Sequence, residues 1–104
     1  MPESKKVGVI GSGSFGIAIA TLLAHNVDVL IYTRQDKRLK AINEDHHLKV
    51  DLNPRIQATS DMAEFTEKCH VIFPMVPSIA FREMIQSFAP YLRPYHIIIH
   101  GTKG

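Results

Sequence analysis

Residues 7–16 read V-G-V-I-G-S-G-S-F-G, a short apolar run that leads directly into the spacing G-x-G-x-x-G. This spacing is typical of a buried strand that turns sharply into a helix beside a pyrophosphate. Gly11 allows the tight turn, Gly13 has no side chain to block the phosphates, and Gly16 lets the helix pack close to the strand. The N–H groups and the dipole at the start of that helix attract an anion. The motif therefore predicts dinucleotide binding at the start of the chain.

The pattern beyond the glycines is that of an α/β domain. Strands are predicted over residues 5–10, 27–33, 56–59, 71–73 and 96–100, and helices over residues 14–25 and 36–44 and from residues 61 and 77 onward. Such alternation predicts a Rossmann-type parallel sheet with right-handed crossovers and helices on both faces. A complete doubly wound domain usually has six strands. We therefore expect residues 1–104 to form an incomplete domain, truncated after strand five.

Composition bounds the function further. The 104 residues permit one domain, and 45% hydrophobic with 21% charged residues is enough for a packed core. A net charge of +2 is too small to indicate nucleic acid or an anionic membrane as a partner. No apolar run is long enough to span a bilayer, and no signal-peptide pattern is present. The single cysteine, Cys69, excludes an internal disulfide and fits a reducing cytoplasm. We interpret it as a half-buried thiol at a strand start.

Unusual residues follow the predicted strands at the edge where ligands of parallel sheets bind. The second strand ends in Thr33-Arg34-Gln35, where an NAD-specific site would place an acid on the ribose 2′-OH. Arg34 can instead pair with a 2′-phosphate, so NADP(H) is favoured and NAD(H) is the alternative. The turn at residues 101–104 presents one cation, Lys103, at the same edge. Taken by itself, that pattern favours an exposed lysine without a ligand.

The histidines do not form a metal or catalytic pattern. Asp45-His46-His47 is the stretch that most suggests a metal site, but no third ligand stands at a recognisable spacing. His25, His96 and His100 are scattered along the chain, with no nucleophile pattern around them. We therefore predict no metal site and no catalytic residue within this chain.

Several segments match, in order and approximate spacing, the motifs of one enzyme family over nearly the whole chain. They are G-S-G-S-F-G followed by I-A-I-A-T-L-L-A, A-I-N-E before D-H-H, A-T-S-D-M at 58–62, V-P-S followed by F-R-E at 76–83, and T-K-G at 102–104. Together they resemble the N-terminal part of bacterial NAD(P)-dependent glycerol-3-phosphate dehydrogenase.

The resemblance implies an enzyme that reduces dihydroxyacetone phosphate to sn-glycerol 3-phosphate with NAD(P)H, for phospholipid synthesis. By position, Ser14 and Phe15 would contact the cofactor, Phe15 standing where Trp is commoner. Arg34 and Gln35 would flank the 2′-phosphate, and Lys103 would touch both cofactor and substrate. The family's proton-transferring lysine and its helical substrate domain lie beyond the last residue of this chain, so we expect the chain alone to be inactive.

Two other functions stay open at this point. One is another βαβ dehydrogenase that uses NAD(P), of the 6-phosphogluconate or hydroxyisobutyrate type, against which the V-P-S and T-K-G turns argue. The other is a regulatory module that senses NAD(H) without chemistry and could be complete near this length. The expected partner is a small phosphorylated substrate, without nucleic acid or membrane, and a homodimer of the full-length protein is left open.

Overall fold

The structure is a computed structural model that describes residues 6–48, 50–76 and 78–99. Within those ranges the main sheet has five strands, all paired in parallel. The strands of that sheet are β1 (Lys6–Ile10), β2 (Val29–Tyr32), β5 (Ile56–Thr59), β6 (Cys69–Pro74) and β7 (Ile97–Ile98), and a separate hairpin joins β3 (His47–Leu48) to β4 (Val50–Asp51). The helices are α1 (Ser14–Leu23), α2 (Asp36–Lys40) with a following π-helical turn (Ala41–Asp45), α3 (Met62–Lys68) and α4 (Ser78–Phe88), which a 3-10 turn (Ala89–Tyr91) extends.

The strand order explains where a ligand can bind. Across the sheet the order is β5-β2-β1-β6-β7, so the chain builds outward from β1 on one side and then restarts on the other. The order reverses between β1 and β6, and open α/β sheets bind ligands at the carboxyl ends of the strands beside such a reversal. The predicted Rossmann-type parallel sheet is confirmed.

Helices cover both faces of the sheet, because the side chains of each strand alternate between two cores. Val29 and Ile31 of β2 join one buried cluster with α1 and the π-helical turn. Leu30 and Tyr32 of the same strand join the other cluster with α3 and α4. The near-continuous apolar character of β2 thus reflects a strand that is buried on both sides.

A glycine inside β1 lets α3 approach the sheet closely. A Cβ on Gly8 would lie 2.5 Å from the ring of Phe65. That ring packs edge-to-face with Tyr32 and Phe88, with centroid separations of 5.9 Å and 5.7 Å. Gly8 therefore supports an aromatic cluster that the sequence pattern did not predict.

The predicted helix over residues 36–44 is divided in the structure. After Lys40 the backbone widens into the π-helical turn, where Ile42 is fully buried. The Asn43 side chain bonds the backbone of Ala58 in β5 twice, donating from Nδ2 at 2.9 Å and accepting at Oδ1 at 2.7 Å. This tertiary contact gives a physical reason for the local departure from the α-helix. The predicted loop over residues 45–55 contains the β3–β4 hairpin.

The start of α3 forms only half of a capping box, although its sequence D-M-A-E at residues 61–64 has the D-x-x-E spacing of one. Asp61 accepts from the N–H groups of Ala63 and Glu64, as a capping residue should. The Glu64 carboxylate does not return to the Asp61 N–H. It accepts instead from the Thr59 hydroxyl at 2.6 Å and from the Lys68 ammonium at 2.8 Å. The Asp61 N–H donates instead to the Thr59 hydroxyl oxygen at 3.1 Å, so Thr59 replaces the reciprocal half of the box.

Cys69 is more deeply placed than the sequence suggested. It begins β6 and is fully buried rather than half-buried. Burial raises the pKa of its thiol to about 12, so the protonated form persists at neutral pH. Cys69 is therefore a packing residue of the core.

Candidate functional site at the glycine turn

The turn after β1 requires glycine at its first position. Gly11 has a φ of +112°, in a region that residues with a side chain rarely adopt. A Cβ there would also lie 2.7 Å from the carbonyl oxygen of Met75. The Met75 N–H donates to the Ile10 carbonyl at 2.9 Å, which holds the end of β6 against the end of β1. The turn is therefore held against the end of β6.

The other two glycines of the motif stand in opposite surroundings. A Cβ on Gly16 would overlap the Gly11 carbonyl oxygen, so Gly16 is needed for α1 to pack on the turn. A Cβ on Gly13 would meet no described heavy atom within 4 Å. Packing of the described residues therefore explains Gly16 but leaves Gly13 without a structural requirement.

The N-terminus of α1 is arranged differently from that of α3. Gly13 is the N-cap residue of α1, and within the described part of the chain no side chain caps it and no acid lies in its first turn. The N-terminus of α3 is capped by the carboxylate of Asp61. The ten-residue α1 thus leaves its first N–H groups and its positive dipole end for an external anion.

Two motif side chains stand in solvent at the start of α1. Ser14 is exposed, and Phe15 is 79% exposed. An aromatic side chain this exposed contributes little to the core. Placed beside an anion site, its ring offers an apolar surface to the rest of a ligand.

Hydroxyl groups join the glycine turn to the end of β2. Ser12 and Thr33 are both buried, and their hydroxyl oxygens are 3.1 Å apart. The Thr33 oxygen also accepts from the Gln35 N–H at 3.2 Å. These contacts hold the two turns side by side, and sequence reasoning did not identify Ser12 or Thr33 as part of the site. Two hydroxyl residues at the ends of consecutive strands were the available signal.

An open cleft of about 220 Å³ lies beside these two turns. Its lining residues are Ile10, Gly11, Ser12, Tyr32, Thr33, Arg34, Gln35, Val76, Ala80, Glu83 and Met84. Arg34 and Gln35 are exposed at its edge, and Glu83 is the acid among the described lining residues. The cleft thus combines an apolar wall with one cation, one amide and one acid, and the cation and the amide at its edge suit the phosphate of a nucleotide.

A larger groove of about 410 Å³ is a weaker candidate. It lies along α3 and the segment after α4, and it shares no lining residue with the cleft. Asp61, Glu64 and Glu67 line it, with Arg93 as its one described cation. Three carboxylates repel phosphates, so this groove does not fit an anionic cofactor.

The remaining predicted positions are distributed as follows. Lys103 and the rest of the T-K-G turn lie outside the described residues. The His47 ring nitrogen lies 2.9 Å from an Asp51 carboxylate oxygen on the exposed hairpin. No group of three or more His, Cys, Asp or Glu side chains within the described ranges could hold a metal ion. None of the helices in those ranges is both long enough and apolar enough to cross a membrane.

Comparison with known proteins gives consistent matches. Residues 6–104 match the family described as NAD-dependent glycerol-3-phosphate dehydrogenase, N-terminus. The chain is 34% identical to glycerol-3-phosphate dehydrogenase (NAD(P)+) 2 of Sphingopyxis alaskensis, over 95% of this chain and 31% of that protein. It is 33% identical to glycerol-3-phosphate dehydrogenase (NAD(P)+) of Bacillus subtilis, over 96% of this chain and 31% of that protein. The chain thus spans about a third of the length of these relatives.

Solved structures agree in fold. The glycerol-3-phosphate dehydrogenase of Coxiella burnetii superposes with a TM-score of 0.83 and 26% identity, over 99% of this chain and 34% of that one. The enzyme of the same name from Saccharomyces cerevisiae gives a TM-score of 0.83 at 20% identity, over 98% and 34%, which supports the fold alone.

Proposed function

The chain belongs to the NAD-dependent glycerol-3-phosphate dehydrogenase family, as the N-terminal part, and from this premise we propose that it binds the nicotinamide cofactor of such an enzyme. The resemblance found in the sequence motifs is thereby confirmed at the level of the family. The proposed reaction reduces dihydroxyacetone phosphate to sn-glycerol 3-phosphate. A bound NAD(P)H would supply the hydride to the carbonyl carbon, and the carbonyl oxygen would take a proton.

One observation carries the proposal, namely the uncapped start of α1 beside the open space at Gly13. The described protein atoms neither fill that space nor cap the first N–H groups of the helix. A pyrophosphate would satisfy both, because its oxygens accept from N–H groups and carry the charge that the helix dipole favours. In this role Gly11 and Gly16 shape the turn, and Gly13 leaves room for the phosphates.

The residues around the turn would hold the rest of the dinucleotide. Ser14 would donate its hydroxyl to a phosphate oxygen, and Phe15 would cover the cofactor with its exposed ring. Arg34 and Gln35, at the edge of the cleft, would contact the adenosine end. The charge of Arg34 favours NADP(H), because a guanidinium can donate to a 2′-phosphate in a charge-assisted pair. NAD(H) remains the alternative cofactor.

The assignment of a substrate-binding residue rests on the sequence. Lys103 would contact both cofactor and phosphorylated substrate, since residues that follow a strand of a parallel sheet are expected at its carboxyl edge. A cation there would hold the substrate and offset charge that develops on its carbonyl oxygen. No proton donor is assigned to this chain. A cytoplasmic location, a role in phospholipid synthesis and a homodimer are parts of the same proposal.

The direct test measures the activity of the intact protein, that is, the complete polypeptide that the organism produces. We expect NADPH oxidation that depends on dihydroxyacetone phosphate, with a higher kcat/KM for NADPH than for NADH. Cofactor binding without turnover would favour a sensing module instead. Turnover of 6-phosphogluconate or hydroxyisobutyrate, with none of dihydroxyacetone phosphate, would contradict the proposed substrate.

A further inference from the structure

Arg38 connects two turns of the candidate site through one side chain. It lies in α2, and its Nη1 donates to the backbone carbonyl of Ser12 in the glycine turn. Its Nε donates to the Oε1 atom of Gln35 at 3.0 Å. The Ser12 contact joins residues 26 positions apart, so it forms only when β1 and β2 are paired. Arg38 was not among the predicted site residues.

The contact with Ser12 constrains the peptide that leads into Gly13. The peptide unit is planar and trans, so its C=O and N–H point in opposite directions. Holding the Ser12 carbonyl toward Arg38 therefore fixes the direction of the Gly13 N–H on the other side. The hydroxyl contact between Ser12 and Thr33 supports the same residue from its side chain. The glycine turn is thus held in one orientation by contacts within the protein.

The contact with Gln35 determines which groups its amide offers to a ligand. An amide side chain carries one oxygen acceptor and one NH₂ donor group. Because Arg38 donates to the oxygen, the NH₂ group is directed away from Arg38. A phosphate accepts hydrogen bonds, so an amide oriented this way suits a 2′-phosphate better than one that presents its oxygen.

We propose that Arg38 is a positioning residue of the cofactor site, which fixes the glycine turn for the pyrophosphate and orients the Gln35 amide for the 2′-phosphate. This inference rests on the proposed function of cofactor binding. It separates Arg38 from Arg34, which would contact the 2′-phosphate itself. Lysine cannot replace Arg38 in this role, because a single ammonium lacks the planar fork that donates in two fixed directions.

The test measures NADPH and NADH affinities of the intact protein by calorimetric titration. Arg38→Lys keeps the charge, and Lys40→Met removes a charge from the same helix as a control. We expect Arg38→Lys to weaken NADPH by about tenfold or more, in line with the loss of a charge-assisted hydrogen bond, and to weaken NADH less. Lys40→Met should leave both affinities within about twofold, since it is exposed and its charge is screened.

A second measurement distinguishes positioning from folding. As a single substitution, Gln35→Ala should weaken NADPH binding. In a protein that already carries Arg38→Lys it should have little further effect, because the amide is then no longer oriented. Two results would overturn the inference while leaving cofactor binding intact. One is additive losses of NADPH affinity when Gln35→Ala and Arg38→Lys are combined, and the other is NADPH and NADH affinities of Arg38→Lys equal to those of the unsubstituted protein. An unsubstituted protein that binds neither cofactor would overturn the proposed function itself, and this inference with it.

Discussion

The described residues require glycine at two of the three motif positions. Gly11 is required by its positive φ, Gly16 by contact with the turn, and Gly13 by neither. The sequence predicted the positions of all three, because each requirement arises within one strand–turn–helix unit. The links from Ser12 to Thr33 and to Arg38 could not be predicted in the same way. They span 21 and 26 positions and depend on which strands pair.

At Arg34, the account predicts a change in cofactor preference rather than in folding. Arg34→Ala should weaken NADPH binding to the intact protein by about ten- to a hundredfold, because a charge-assisted hydrogen bond contributes roughly 1.5–3 kcal/mol. NADH affinity should change little, since NADH lacks the 2′-phosphate. Fluorescence titration with both cofactors measures the ratio. An equal loss for both would make Arg34 a structural residue and remove the basis for NADP preference.

At the scale of elements, local signals predicted most of the fold. The strand over residues 56–59 agrees with the observed β5, because its apolar residues are bounded by turn residues. The two-part helix before it was missed, since the contacts of Asn43 with Ala58 cross from one element to another. α1 ends at Leu23, two residues before the predicted end. Element types were therefore predicted better than element ends.

The cap of α3 gives a prediction for one element. Asp61→Ala should remove the acceptor of two first-turn N–H groups and destabilise α3 by about 0.5–2 kcal/mol. Hydrogen exchange of the Ala63 and Glu64 amides should become faster, while amides of β1 exchange as before. Asp61→Asn keeps a capping oxygen and serves as the control, with most of the protection retained. Unchanged exchange in Asp61→Ala would show that the cap does not stabilise the helix.

At the scale of the whole molecule, the sequence predicted the sheet and its covering helices but not how their side chains pack together. Alternation of strands and helices was enough for a parallel sheet covered on both faces. The packing of Phe65 onto Gly8 and the full burial of Cys69 were not predictable, because both depend on how closely α3 approaches the sheet. The sequence predicted the candidate site at the carboxyl edge of the sheet, where the glycine turn and the cleft lie, and it did not predict the hydrogen bonds that join them.

Two exposed ion pairs give the folded molecule a modest dependence on pH. The hydrogen bond from Lys68 lowers the pKa of Glu64, and the hydrogen bond from Arg55 lowers the pKa of Asp28. Carboxyls with a lowered pKa stabilise the fold above their unfolded pKa values, and this contribution is lost as pH falls below about 4. Each contribution should be small, because the pairs are solvent-exposed.

The Lys68 contribution is measured by comparison with Lys68→Met. Urea unfolding measures how much the free energy of unfolding falls between pH 7 and pH 3. This fall should be smaller for Lys68→Met than for the unsubstituted protein. Other carboxyls titrate equally in both proteins, so they cancel in the comparison. The same difference in both proteins would mean that the pair with Glu64 does not contribute.

The central claim is that the open space at Gly13 receives the cofactor pyrophosphate, and Gly13→Val tests it most directly. The Cβ of the valine would meet no described protein atom within 4 Å, so we expect the stability of the intact protein to change by no more than about 1 kcal/mol. Ala18→Val, at an exposed position of the same helix, is the matched control. NADPH and NADH both contain the pyrophosphate, so the Kd of each should rise about tenfold or more in Gly13→Val and stay unchanged in the control. The account would be contradicted if Gly13→Val bound both cofactors as tightly as the unsubstituted protein does.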